Sequence, residues 1–548
     1  MPFRCQCIFK LIGEAVENLS NALYAWREAI GTEHVITADA DLQQAETATY
    51  LTEQRIPAIL RPANRDEVQA CVKIANQCKT PLYPISTGKN WGYGSSVPVR
   101  DNCVVLDLGR MDRIVSFDED LAYITVEPGV TQQQVYDFLR EKQSDLFLGV
   151  TGGPRDSSLI GATMDRGVAK GPYGDRFQYV LGTEAVLPTG ECIHTGFGRF
   201  EQAQAGKTHR WGVGPYLDGL FSQSNLGIVT QMTFLLSPIA SHFQICIFTL
   251  EEESQIEPLF DTLRTLLLRG TLDTAFVLSN DYRMFSYSQQ YPWAETGGQT
   301  PLPAYLRENL REKWQAGLWF CEVALYSQSL EQAQIERNMV DAALRPYVSS
   351  LYFIDEAIVQ QPDALRQMLP GYDPVEVQEW FVNNLQRGIP SDADIPMTYW
   401  RKSESLPAAL NPDRDRCGFI WCAPVTPFVG SCVRESVAIV EETCQAHGYE
   451  PSMALNCINA RNIYVTAAII YDREVAGEDE RAMACYEDLL GRLVAAGYLP
   501  YRLGTHAMNL LPPAQDDYNH LLRTLKQALD PNDILAPGRY DFRHEWEA

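Results

Sequence analysis

The segment from Pro84 to Gly94 constrains this chain more than any other stretch. An apolar run from Thr80 to Ile85 reads as a buried strand, and Gly88, Gly92 and Gly94 follow it. Glycine takes positive φ freely and lets the main chain approach a ligand closely. Successive bare N–H groups in such a turn form a concavity for an anionic oxygen, so a pyrophosphate is the natural occupant. The spacing is neither G-x-G-x-x-G nor G-x-x-x-x-G-K-[ST], so nicotinamide and nucleoside-triphosphate readings lose support. Asn90, Trp91 and Tyr93 add amide and aromatic groups to the loop.

Charge narrows the partners. The 548 residues carry a formal charge of -25 and a pI near 4.8, a surface that repels phosphate backbones and anionic lipid. Nucleic-acid and membrane partners are therefore not expected, and the length suits two or three domain cores. The 14 cysteines include no C-x-x-C pair and do not cluster with the eight histidines at zinc spacing, so no metal site is expected. Cys5 and Cys7 are the nearest pair. Cysteines within apolar runs, such as Cys246, Cys321 and Cys457, fit free thiols in a reducing cytoplasm. Arg4 and Lys10 are followed by Glu14 and Glu17 without a sustained apolar core, so no signal peptide is expected. No apolar stretch approaches the roughly 20 residues of a membrane span.

Periodicity predicts a helix over 14–31, then alternating strands and helices from Ile59 to Val130, including a helix over Asp66–Cys78. Residues 171–236 read as strand-rich. A strand over Phe243–Leu250 and a helix over 256–269 restart the pattern after Pro238, which marks a domain boundary. Further helices are predicted near 304–316, 329–344, 432–447 and 479–497, and the segment 288–303 reads as an exposed loop. The strand Ile463–Ile470 sets Tyr464, Thr466 and Ala468 on one face. The chain thus divides into 1–238, 239–497 and 498–548.

Other segments fall in one order between about residues 80 and 540: Val126–Val130, Asp165–Val168 with Pro172–Asp175, Glu184–Gly196, Pro215–Phe221 with Asn225–Thr230, Tyr501–Arg502, and Asp530–Gly538. Together with Pro84–Gly94 this set resembles the vanillyl-alcohol oxidase / p-cresol methylhydroxylase family of flavoproteins. The resemblance implies an α+β fold: a two-part FAD-binding domain of that type, made from both chain ends, and a central α+β cap domain. It implies FAD held by Ile85, Ser86, Thr87, Gly88, Lys89, Asn90, Trp91 and Gly94 in the loop, by Gly153 and Gly161, by Asn225, Gly227 and Ile228, and by Arg539. Tyr464 falls near the position where relatives attach the flavin covalently. No histidine lies between residues 448 and 505, so a tyrosyl link is the form expected there.

The same resemblance points to Tyr93, Tyr501 and Arg502 as the catalytic set. A phenol held by two tyrosine hydroxyls and a guanidinium is stabilised as phenolate, because each donor favours the charged form. The para carbon of its side chain can then lose hydride to the flavin, leaving a quinone methide that takes up water. The electron acceptor is either O2 or a cytochrome. Homo-oligomers are common in the family, and nothing in the sequence decides the state. Two other readings stay open: an FAD oxidase of an aliphatic hydroxy acid or sugar, and a flavin-binding subunit without turnover. Gly153 stands where a relative carries an aspartate, leaving Asp156 as the nearest acid and His506 as another candidate base.

Overall fold

The computed structural model describes residues 17–511 and 517–541. Cys5, Cys7, the charged N-terminus and the first turn of the predicted N-terminal helix lie outside them. The strand before the glycine loop spans Leu82–Ile85 and pairs in parallel with Val104–Asp107. That strand pairs with Ile59–Leu60, and Val35–Ile36 closes the edge antiparallel. The helix Arg65–Cys78 starts at Asn64, whose side chain accepts from the Glu67 N–H, and buries Val68, Cys71, Val72 and Ala75. This i, i+3, i+4, i+7 stripe is what an amphipathic helix laid on a sheet requires. Its core also contains Ile534 and Leu535 from the far end of the chain, and Leu535 bridges Leu82 in parallel.

A second, antiparallel sheet has five strands in the order Ile114–Asp118, Tyr123–Val126, Ile228–Leu235, Val180–Val186, Cys192–His194. Beside it lies the short helix Leu159–Met164, capped by the Ser158 side chain.

The central part of the chain builds an eight-stranded antiparallel sheet from His242 to Asp472. Strand alternation gives its faces different chemistry. Leu278, Cys321, Val323, Leu455, Val465 and Ala467 pack on residues such as Leu259, Leu344, Val437 and Leu489 of the covering helices. The opposite face presents Ser279, Phe320, Glu322, Phe419, Trp421, Ala454, Asn456 and Thr466 to a cavity. The two ends of the chain are stitched to this sheet. The Phe419 N–H donates to the Thr49 carbonyl at 2.8 Å, and the Tyr501 N–H to the Ala423 carbonyl at 3.1 Å. Tyr498, Leu503, Ala507 and Met508 lie in the core of the central sheet, so the chain crosses this sheet before returning to Leu82.

The segment 288–303 differs from its expected exposed state. It contains the helical turn Trp293–Thr296 and buries Tyr291 and Leu302, with the Tyr291 N–H bonded to the Trp400 carbonyl at 2.7 Å. Single apolar residues among Gln, Pro and Gly leave no periodic trace, yet Tyr291 and Leu302 join one buried cluster with Phe285 and Trp400. The described cysteines are all free, and no described helix is long and apolar enough to cross a membrane.

Candidate active site

The glycine loop takes positive φ at all three predicted positions: 68° at Gly88, 79° at Gly92 and 120° at Gly94. Among the described residues, none of the main-chain N–H groups from Thr87 to Trp91 donates a hydrogen bond within the chain. Five adjacent uncommitted N–H groups make an anion-binding concavity. The loop is held from behind. The Trp91 indole and the Ser95 hydroxyl donate to the two oxygens of Asp413 at 3.0 and 2.9 Å, and the Gly92 N–H donates to Thr49 Oγ1 at 3.0 Å. Burial pushes the Asp413 carboxyl up to about 7, against those two donors and the nearby Lys89 and Arg473. Across the groove, the Ser158 N–H donates to Thr87 Oγ1 at 3.2 Å, and a Cβ on Gly161 would lie 3.1 Å from Ser86 Oγ.

This groove opens into a cavity of about 700 Å³. Ile85 to Trp91, Gly153, Gly161, Asn225, Gly227, Ile228 and Arg539 line it, as do Tyr93, Tyr501 and Arg502. Two expected cofactor contacts fall elsewhere. Gly94 is packed behind the loop, where an added Cβ would meet Thr505 Oγ1 at 2.4 Å. Tyr464 is off the cavity wall, stacked on Tyr501 with ring centroids 4.4 Å apart. Its strand face is the expected one, and its ring packs on Tyr501, which itself lines the cavity.

Asp165 organises the charges. Its carboxylate receives Arg539 and Arg502, the latter at 3.3 Å, and the Asn90 amide at 3.0 Å. Burial alone would raise this carboxyl; Arg539 and Arg502 outweigh it and hold the group below the ordinary aspartate range. Arg539 also donates to the Tyr83 hydroxyl at 2.6 Å. Arg502 donates to Asn90 Oδ1, and its guanidinium lies 4.0 Å from the Tyr93 ring centroid. Its Nε–H is buried and has no partner among the described residues. Burial and the neighbouring Tyr501 hydroxyl push the Tyr93 phenol upward, with Arg502 opposing them. Two hydroxyls and one guanidinium thus stand together at the cavity, an arrangement suited to an anionic oxygen.

The bases considered from sequence are not in the cavity. Asp156 pairs with Lys89 at 3.0 Å and is half exposed. His506 is wedged between Tyr50 and Tyr486 at 4.5 Å from each, and burial pushes it down to about 3. The carboxylate that reaches the Gly152–Gly153 turn is Asp394: a Cβ on Gly152 would lie 2.2 Å from its Oδ2. Asp394 lines the cavity with Lys170, Arg283 and Glu322, none of which sequence reading identified. They come from separate elements and share no motif. Away from the cavity, Glu184, Cys192 and His194 bring ligand-type atoms within 4.8 Å of one another, a grouping not seen in the spacing. Arg65 stands 3.6 Å from that glutamate.

An FAD binding domain family matches residues 56–196. The chain is 47% identical over 531 residues to 1'-carboxy-chondrochloren decarboxylase of Chondromyces crocatus, covering 96% of this chain and 98% of the relative. It is 30% identical over 478 residues to the 4-cresol dehydrogenase [hydroxylating] flavoprotein subunit of Pseudomonas putida, covering 86% and 85%. The crystal structure of p-cresol methylhydroxylase with substrate bound superposes with a TM-score of 0.86 at 27% identity, covering 96% of this chain and 97% of that one. The groove fits FAD, the cofactor of the matched family: uncommitted N–H groups for a pyrophosphate, and a cavity of about 700 Å³ for the rest.

Proposed function

The chain belongs to the vanillyl-alcohol oxidase / p-cresol methylhydroxylase family of FAD-dependent oxidoreductases, and from that premise we propose that it oxidises a 4-substituted phenol at the ring-attached carbon. The observation that carries this reading is the convergence of Tyr93, Tyr501 and Arg502 on the cavity wall. The loop from Ile85 to Trp91, the Ser158–Gly161 turn and Arg539 are the residues that would hold the FAD. When bound, the flavin supplies hydride acceptance. The protein's own part is to bind the phenol oxygen and favour its ionised form. Arg502 offers a permanent positive charge, and the two tyrosines offer O–H donors. Asp165 and Asn90 hold the guanidinium in place, so the donors need little reorganisation as charge develops. Phe419, Trp421 and Met397 exclude water on the cap side.

The fate of the oxidised side chain separates the two relatives by name, one hydroxylating and one a decarboxylase. The 47% identity over nearly the whole chain favours the second. A carboxylate on the carbon next to the oxidised one can leave as CO2. The pair from the broken C–C bond forms the new side-chain double bond, and the ring electrons return to the phenol oxygen as phenolate. In plain alkylphenols water adds instead.

Anaerobic addition of 4-ethylphenol to the flavin-loaded protein is expected to bleach the flavin band, and 4-ethylanisole to leave it intact. Bleaching by neither, but by lactate or glycolate, moves the assignment to a hydroxy-acid oxidase. Bleaching by none supports a subunit without turnover. Bleached protein that stays bleached in air uses a protein acceptor such as a cytochrome; rapid recolouring makes it an oxidase.

A further inference from the structure

Beneath the polar face of the central sheet, four ionisable side chains border the cavity without pairing. Arg283, in the helix Asp281–Ser288, is 8% exposed. Its Nε–H donates to the Tyr287 hydroxyl at 2.8 Å, its guanidinium lies 4.7 Å from the Trp421 ring centroid, and its Nη1 has no partner. Lys170 follows the Asp165–Val168 segment, Glu322 sits in the strand Trp319–Ser327, and Asp394 precedes the turn Ile395–Tyr399. Among the described residues none of the four makes an ion pair within 4.0 Å.

A guanidinium stays charged at any working pH, and charged groups are buried only when an anion or a full set of acceptors compensates them. The chain gives Arg283 one hydroxyl and the faces of Trp421 and Tyr287, which leaves its buried Nη1 without a partner and most of its charge uncompensated beside the cavity. Lys170 adds a second basic group, which burial pushes down against the opposing Glu322 and Asp394. Two acids face this pair; burial raises both Glu322 and Asp394, with Lys170 opposing in each case and Arg283 as well at Asp394. Asn384 donates to Glu322. The position also suits a substrate bound by the tyrosines. Trp421, which Arg283 covers, packs so closely on Gly92 that a Cβ there would lie 2.4 Å from the indole, and Tyr93 is the next residue.

We propose that Arg283 and Lys170 seat a carboxylate on the substrate's side chain, so that this protein binds phenolic acids in preference to plain 4-alkylphenols. The proposal rests on the phenol reading above for the rest of the substrate.

The test separates the two. (4-Hydroxyphenoxy)acetate has oxygen at the ring-attached position and no hydride to give, so it reports binding alone. Calorimetric titration of the flavin-loaded protein compares it with 4-ethoxyphenol, which lacks the acid, and with phenoxyacetate, which lacks the hydroxyl. Wild type is expected to bind the hydroxy acid roughly 10- to 100-fold more tightly than 4-ethoxyphenol, the range of a charge-assisted contact. Arg283→Gln and Lys170→Met should each erase most of that advantage and leave 4-ethoxyphenol binding unchanged, with Arg283→Lys intermediate. Flavin content is checked first; if Arg283→Gln loses its flavin, Lys170→Met decides. Equal binding of acid and neutral phenol by wild type, or an advantage that survives in the flavin-retaining variants, overturns the carboxylate seat. Phenoxyacetate binding as tightly as the hydroxy acid, and depending on Arg283, supports the seat and overturns the phenol reading instead.

Discussion

Asp165 is the residue on which the site's charge balance turns. One buried carboxylate serves two guanidiniums and the Asn90 amide, so Asp165→Asn leaves two cations without their partner. Removing one member of such a buried pair costs about 3–5 kcal/mol, and chemical denaturation of the variant should show a loss of that order. Because the folded carboxyl sits below its unfolded value, its stabilisation is present above the ordinary aspartate range and is lost as pH falls through the folded value. Wild-type stability should therefore drop on acidification below about pH 4, and the variant should lack that component. Tyr501→Phe removes one donor to the phenol oxygen and should slow flavin bleaching by 4-ethylphenol about 100-fold or more, read by anaerobic stopped flow. Unchanged bleaching of the flavin by a hydroxy acid in that variant would favour the hydroxy-acid reading.

At the scale of elements, the glycine loop and the central sheet make different demands on sequence. Gly92→Ala places a Cβ 2.4 Å from the Trp421 ring at a φ of 79°; the variant should purify with little flavin, measured as bound flavin per chain. Leu455 and Asn456 are neighbours on one strand with opposite faces. Leu455→Ala should lower stability by about 2–5 kcal/mol, while Asn456→Ala, which loses amide bonds to Tyr464 and Thr466 on the next strand, should cost only about 1 kcal/mol, both read by chemical denaturation. The loop was legible because its conformation is local: Gly88, Gly92 and Gly94 announce positive φ without help from the rest of the fold. The long helices were legible to within a few residues for the same reason, as their apolar period is local too. Arg283, Lys170, Glu322 and Asp394 were not. They come from a helix, a strand and two loop segments far apart in the chain and meet only in the folded molecule; of the four, only Glu322 owes its cavity-facing side to strand alternation. Tyr464 illustrates the remaining gap: its strand face was readable, but the ring stacked on it comes from Tyr501, which enters from the chain's end.

Across the whole molecule, the charge of -25 creates a long-range field rather than a site. A cationic electron acceptor should reoxidise the reduced protein faster at low salt, with the rate falling as ionic strength rises and the Debye length shortens. An acceptor of neutral charge should show no such slope. The cavity itself belongs to no single stretch of chain. Its floor comes from residues 83–91 and 157–170, its roof from strands between 276 and 466, and its polar clamp from Tyr501, Arg502 and Arg539. That last contribution bears on how the protein is made. A ribosome that has released the first 480 residues has produced floor and roof, but Asp165 still lacks both guanidiniums and Leu82 its neighbour Leu535. Nascent chains halted there should remain colourless, and the yellow of bound flavin should mark finished ones.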